Sequence, residues 1–145
     1  MILLEPCSFD PYAHLSAVSR ETGGAGAIAS FIGLVRSEGG VRALHLDHFP
    51  GLTEAAIRRA AETARGRWPL TALRIVHRVG EARAGEPVVL VATAAAHRRP
   101  AFEACDFLMD FLKTDAPFWK KELREDGARW IEPRAEDYRD RARWS

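Results

Sequence analysis

Eighteen of the 21 basic residues are arginine, and the three lysines, Lys113, Lys120 and Lys121, all fall in one stretch, Lys113-Thr-Asp-Ala-Pro-Phe-Trp-Lys120-Lys121. Like the abundance of alanine, that bias fits a genome rich in G and C; a lysine differs from the arginines in that its amine can lose a proton, which a guanidinium cannot do. A desolvated lysine near a second cation has a depressed pKa and can act as a base or a nucleophile. Lys120 and Lys121 are neighbours in an expected strand, so they point to opposite faces. Pro117 prevents a continuous helix from joining Lys113 to Lys120, so these two meet only if the chain turns back between them. The competing reading is a charge pair on an edge strand, placed there to discourage aggregation.

His97-Arg98-Arg99 opens an expected helix. Free backbone N–H groups and the positive dipole end favour an anion there, such as phosphate or carboxylate, while cations at that end do not help the helix itself. A solvated helix start with one arginine covering apolar surface is the plainer alternative. Arg36 leaves a strand just before a Gly-rich turn and can clamp an anion bidentately, or simply decorate the turn. His77-Arg78 reads the same way. His45 and His48, three apart on a strand, do not face one way and make no zinc site. Cys105 lies on the apolar face of a helix, and neither Cys7 nor Cys105 has a local base that would mark a nucleophile.

Several elements must position these groups. Residues 2–5 read as a strand. Asp10 caps a helix with Pro11 at its first position, and Tyr12, Leu15 and Val18 are expected to face the core. Residues 27–35 and 41–49 read as strands flanking the turn Ser37–Gly40. Thr53 is the expected N-cap of a helix running to about Trp68, with a small-residue face of Ala56, Ile57, Ala60, Ala61 and Ala64. A strand follows through Leu73 and Ile75, then a turn region over Gly80–Gly85. Residues 87–96 read as a central strand buried on both faces. The helix after His97 has Ala101, Phe102, Cys105, Leu108, Met109 and Leu112 as its expected core face. Phe118–Leu123 and Arg129–Glu132 form a hairpin about Asp126-Gly127. The pattern predicts one α+β domain over residues 1–134, with a mixed, mostly antiparallel sheet. Residues 135–145 read as a loose polar tail.

At 145 residues the chain fits one domain with a real core. The formal charge of +1 argues against a general nucleic-acid binder. No apolar run approaches the ~18 residues of a membrane span, and the N-terminus has no basic region or cleavage site. Two cysteines make no disulfide framework or metal motif, so a reducing cytoplasm is expected.

Phe31-Ile-Gly-Leu-Val-Arg36, Leu46-Asp-His-Phe-Pro-Gly-Leu-Thr53, Arg67-Trp-Pro-Leu70, Val76-His-Arg-Val-Gly80, Ala96-His-Arg98, Phe111-Leu-Lys-Thr-Asp-Ala-Pro-Phe-Trp-Lys120 and Arg129-Trp-Ile-Glu132 run in order over nearly the whole chain. Together they resemble the catalytic, large-subunit family of molybdopterin synthase. The resemblance implies an α/β-hammerhead fold and a homodimer at the core of a heterotetramer with a small ubiquitin-like sulfur-carrier subunit. It implies that the carrier's C-terminal Gly-Gly thiocarboxylate threads into a pocket and gives sulfur to cyclic pyranopterin monophosphate, forming the molybdopterin dithiolene. No metal or other cofactor is implied for this step. Lys113 and Lys120 match the family's active-site lysines. Arg36, His97 and Arg98 match its anion-binding positions, and Arg134 matches a basic pocket position more loosely. The turn after Arg36 is shorter than the family often has.

Both implied reactants are anionic, which suits a cationic pocket in a chain of balanced charge. The sulfur arrives on a partner, so no activated cysteine is needed. A non-catalytic module that docks a carrier tail or a phosphorylated ligand would not need both lysines. An unrelated phosphoester enzyme would need a cluster of metal-binding carboxylates, and the acidic residues are scattered.

Overall fold

The computed structural model describes residues 1–145. In chain order the elements are β1 (Ile2–Glu5), α1 (Pro11–Glu21), β2 (Ala27–Leu34), β3 (Val41–His48), α2 (Leu52–Arg67), β4 (Leu70–Arg78), β5 (Gly80–Arg83), β6 (Pro87–Ala95), α3 (Arg98–Thr114), β7 (Phe118–Arg124), β8 (Gly127–Ile131) and α4 (Ala135–Ala142). They form two four-stranded sheets, ordered β1-β4-β6-β2 and β5-β3-β7-β8. Only β1 and β4 pair in parallel; every other ladder is antiparallel. The α+β class expected from the pattern is the one observed, with its strands divided between two sheets.

The first sheet is covered on both faces, and β6 shows why its sequence is nearly all apolar. Val89, Val91 and Ala95 pack under α2 and α3. Ala92 and Ala94, on the opposite face, pack with Val18 of α1. Ala56, Ala60, Ala61 and Ala64 of α2 form the small-residue face turned to this sheet and are almost wholly buried. Asp10 caps α1 by accepting a hydrogen bond from the Tyr12 N–H at 2.9 Å.

Four local expectations are corrected. Tyr12 is 71% exposed, because the inward stripe of α1 centres on Val18. Phe102 is 60% exposed, and Ala104 and Phe107 join the buried face of α3 in its place. Phe102 lies at the rim of that stripe, and β2 is the last strand of its sheet, so nothing further covers it. Gly80–Arg83 is a strand, because Ala82 is fully buried against Val35 and Val41. Thr53 is not a cap: the cap is Gly51, at φ 83°, and the Thr53 hydroxyl makes longer-range bonds.

The segment after Pro133 is not loose. Residues 135–142 form α4, which packs on α3. Trp144 inserts between Trp68 and Phe107, with ring centroids 5.6 and 5.7 Å away. Its Nε1–H donates to Asp110 at 2.6 Å, and Arg143 reaches the same carboxylate at 2.7 Å. Trp144→Ala leaves a void and an under-satisfied Asp110. It should cost about 2 kcal/mol or more, read as a Tm lower by roughly 5 °C or more in thermal unfolding. No helix is long and apolar enough to cross a membrane.

Candidate active site at the α3–β7 turn

The direction of α3 fixes which residues share an end of the molecule. The Thr93 hydroxyl donates to the Ala101 carbonyl at 2.6 Å, and Cys105 Sγ lies 3.9 Å from the Val91 carbonyl. The helix therefore runs back along β6, ending near Pro87 and Val89. His77 pairs with Val89 in the ladder, so it lies at that same end. Arg36 also lies there, because Leu34 pairs with Pro87 and the Val35 N–H reaches the Glu86 carbonyl at 3.0 Å.

Lys113 is exposed in the last turn of α3, where its charge suits the dipole. The chain then turns back sharply: the N–H groups of Asp115 and Ala116 both bond the Phe111 carbonyl, at 2.8 and 3.1 Å. This reversal is the one the sequence required for Lys113 and Lys120 to meet. β7 is not an edge strand. Lys120 stands between Leu46 of β3 and Ile131 of β8, which removes the aggregation reading.

Lys120 is partly buried, and its pKa is lowered to about 8, first by desolvation and then by the charge of Lys113; Asp137 of α4 opposes the shift. His77 is buried, and its pKa is lowered to about 3, chiefly by burial, with Lys120 and Lys113 adding to the effect. It is neutral at ordinary pH. Its Nδ1–H donates to the Arg78 carbonyl at 2.8 Å, and its ring stacks on Phe118 with centroids 4.0 Å apart. His77 is a buried residue of β4, neither an exposed anion clamp nor a turn decoration. The available signal was its place on a strand with the buried Ile75 and Val79.

Lys121 takes the other face, as expected from alternation. Its Nζ lies 5.0 Å from the centroid of the Trp130 ring, its cross-strand neighbour. Arginine can make the same contact, so Lys121→Arg should leave activity within about twofold and Tm nearly unchanged in parallel assays.

The remaining candidates divide. Arg134 sits at the N-cap of α4, exposed, 3.6 Å from Glu136 and 3.7 Å from Asp137, the carboxylate that acts on Lys120. Arg36 is exposed at the Lys113 end. His97 and Arg98 are not beside the lysines: they open α3, and Lys113 is fifteen residues further along, about 22 Å at helical rise. The length of α3 thus keeps His97 and Arg98 of one chain apart from its Lys113, Lys120, Arg36 and Arg134.

No three His, Cys, Asp or Glu side chains are grouped as metal ligands would be. The Cys105 thiol is pushed up to about 12 by burial. What the turn offers is a partly buried amine whose pKa is lowered to about 8, with the charge of a second lysine acting on it. That pair suits proton transfer and the stabilisation of negative charge.

Residues 4–115 match the family model described as "MoaE protein". The chain is 52% identical over 145 residues to the molybdopterin synthase catalytic subunit of Caulobacter vibrioides, covering 99% of this chain and 97% of the relative. It is 45% identical to the protein of the same name from Pseudomonas aeruginosa, covering 99% and 97%. Among solved structures it is similar to a molybdopterin biosynthesis MoaE protein from Burkholderia ambifaria, with a TM-score of 0.85, 44% identity and coverage of 99% and 97%. It is also similar to a molybdopterin synthase from Staphylococcus aureus, with a TM-score of 0.76, 28% identity and coverage of 90% and 94%.

Proposed function

The chain belongs to the MoaE family, and from that premise we propose that it catalyses the sulfur-transfer step of molybdenum cofactor biosynthesis. Two sulfurs, each from the thiocarboxylate of one small carrier subunit, pass to cyclic pyranopterin monophosphate to give the molybdopterin dithiolene, and each carrier leaves as its plain carboxylate, with water supplying the oxygen. The observation that carries the reading is the juxtaposition of Lys113 and Lys120 at the α3–β7 turn, with Lys120 held near a pKa of about 8. A module that merely docked a tail would have no use for such an amine. Lys113 receives the thiocarboxylate as a counter-ion and polarises its carbonyl. Lys120 moves protons as sulfur bonds to the pterin. Arg36 and Arg134 add positive charge near the turn. The cytoplasm, a reducing compartment, suits the two free cysteines.

The remote His97 and Arg98 fit this reading through the homodimer. β2 is an open sheet edge, and Ile28, Phe31 and Leu34 along it are at least 42% exposed. A second copy paired antiparallel across this edge sets its Ala27 end beside the first copy's Leu34 end. Ala27 pairs with Ala95, two residues before His97. The partner's His97 and the partner's Arg98 are thereby carried to the end that holds Arg36 and Lys113, where they can take the substrate phosphate.

Two experiments test this. Purified chain, thiocarboxylated carrier and the cyclic pterin should form dithiolene, and carrier ending in a plain carboxylate should not; no product from the complete mixture would sink the assignment. Mixed dimers of Lys113→Ala and Arg98→Ala should regain roughly half of one dimer's activity, since one of the two sites is then intact. If the site were complete within one chain, mixing would restore nothing.

A further inference from the structure

Three consecutive residues between the two lysines, the turn residue Pro117 and the first two residues of β7, are each gripped by side chains from other elements. The Thr53 hydroxyl, fully buried, donates to the Pro117 carbonyl at 2.9 Å and accepts the Phe49 N–H at 3.0 Å. The His77 ring stacks on Phe118, with an interplanar angle of 15°. The Phe49 ring meets Trp119 edge-on, with centroids 4.2 Å apart. Thr53, His77 and Phe49 come from the start of α2, the end of β4 and the turn after β3. These are separate parts of the sequence converging on Pro117-Phe118-Trp119, the segment between Lys113 and Lys120.

We propose that Thr53, His77 and Phe49 are positioning residues that clamp Pro117-Phe118-Trp119 and so set the spacing of Lys113 and Lys120. A proline between a helix end and a strand start carries no N–H to bond, so the turn lacks a ladder contact of its own there. The Thr53 hydroxyl supplies an anchor at its carbonyl. The His77 stack fixes the ring two residues before Lys120, and His77 can lie beside two lysines because it carries no charge. Like-charge influence depends on distance, so loosening the clamp lets the lysines drift apart and readmits water. The titratable or charged groups facing Lys120 are Lys113 from α3, His77 from β4 and Asp137 from α4. β3 and β8 present Leu46 and Ile131 across the ladder.

This inference rests on the catalytic reading of the lysines, and its test separates the two. With only three lysines in the chain, the Nζ titrations can be followed by NMR in lysine-labelled protein and assigned with single Lys→Arg variants. Thr53→Val, isosteric but unable to hydrogen-bond, should raise the Lys120 midpoint by roughly half a pH unit or more. It should also lower kcat about tenfold, with KM for the carrier within about twofold. Thr53→Ser should restore both. Phe118→Leu, at a half-buried site, removes the His77 stack and gives the same readout should Thr53→Val fold poorly. Unchanged Lys120 midpoints in these folded variants would overturn the clamp. A raised midpoint with undiminished sulfur transfer would support the clamp and contradict the catalytic role of the pair.

Discussion

Lys113→Ala lowers the single-turnover rate of sulfur transfer by about a thousandfold or more while leaving the fold in place. The side chain is exposed at the end of α3. Its loss therefore costs only a favourable helix-dipole contact, about 0.5 kcal/mol, and Tm should fall by no more than about 2 °C. The rate suffers because the group that meets the thiocarboxylate is gone, and electrostatic stabilisation of a developing oxyanion is commonly worth several kcal/mol. Lys113→Arg keeps the charge but gives a bulkier, planar head and no removable proton, so it should rescue little. The same change has a second readout, because the Lys113 charge holds down the Lys120 pKa. In Lys113→Ala that pKa should move back toward the ordinary lysine value. Wild-type rates in Lys113→Ala would remove this residue from the chemistry.

Lys120 is the other position with a large effect, and there activity and stability should move in opposite directions. Lys120→Met fills the same partly buried slot with an apolar chain and should reduce sulfur transfer by about a hundredfold or more. It should also raise Tm. The folded protein resists charging Lys120, whose pKa is lowered from 10.5 to about 8. Below pH 8 the ammonium form is present in both states and the folded state bears the full penalty. As pH rises from 8 to 10.5, the unfolded chain binds more protons than the folded one, and the penalty disappears. The Tm gain of Lys120→Met should thus be largest below pH 8 and vanish above about 10.5. Lys120→Arg places a permanent charge in the same slot, so it should be both inactive and destabilised. A Tm loss in Lys120→Met at pH 7 would mean that the lysine is held there for packing or pairing instead.

The lysine stretch was legible because composition made it conspicuous and because Pro117 forced a reversal if Lys113 and Lys120 were to meet. β6 and the β7–β8 hairpin were legible from apolar continuity and the Asp126-Gly127 turn. Other features depended on contacts far apart in sequence. Arg141, Arg143 and Trp144 look like a solvated tail until Asp106, Asp110, Asp115, Trp68 and Phe107 are brought beneath them. His77 reads as an ordinary strand residue until Phe118 lies over it. Thr53 looked like a helix cap because its hydroxyl could serve one, but the Phe49 N–H and the Pro117 carbonyl compete successfully for it. The gap between Arg98 and Lys113 could be counted in advance from the expected helix. Family motifs name the residues of a pocket without saying that one chain supplies them all.

The pH dependence of single-turnover sulfur transfer bears most directly on whether a lysine amine tuned by this turn does the work. With carrier thiocarboxylate and cyclic pterin in excess, the wild-type rate should rise with pH through an apparent pKa of about 8. That limb should be missing from the residual rate of Lys120→Met. A wild-type profile flat from pH 6 to 9.5, or a limb that persists in Lys120→Met, would contradict it.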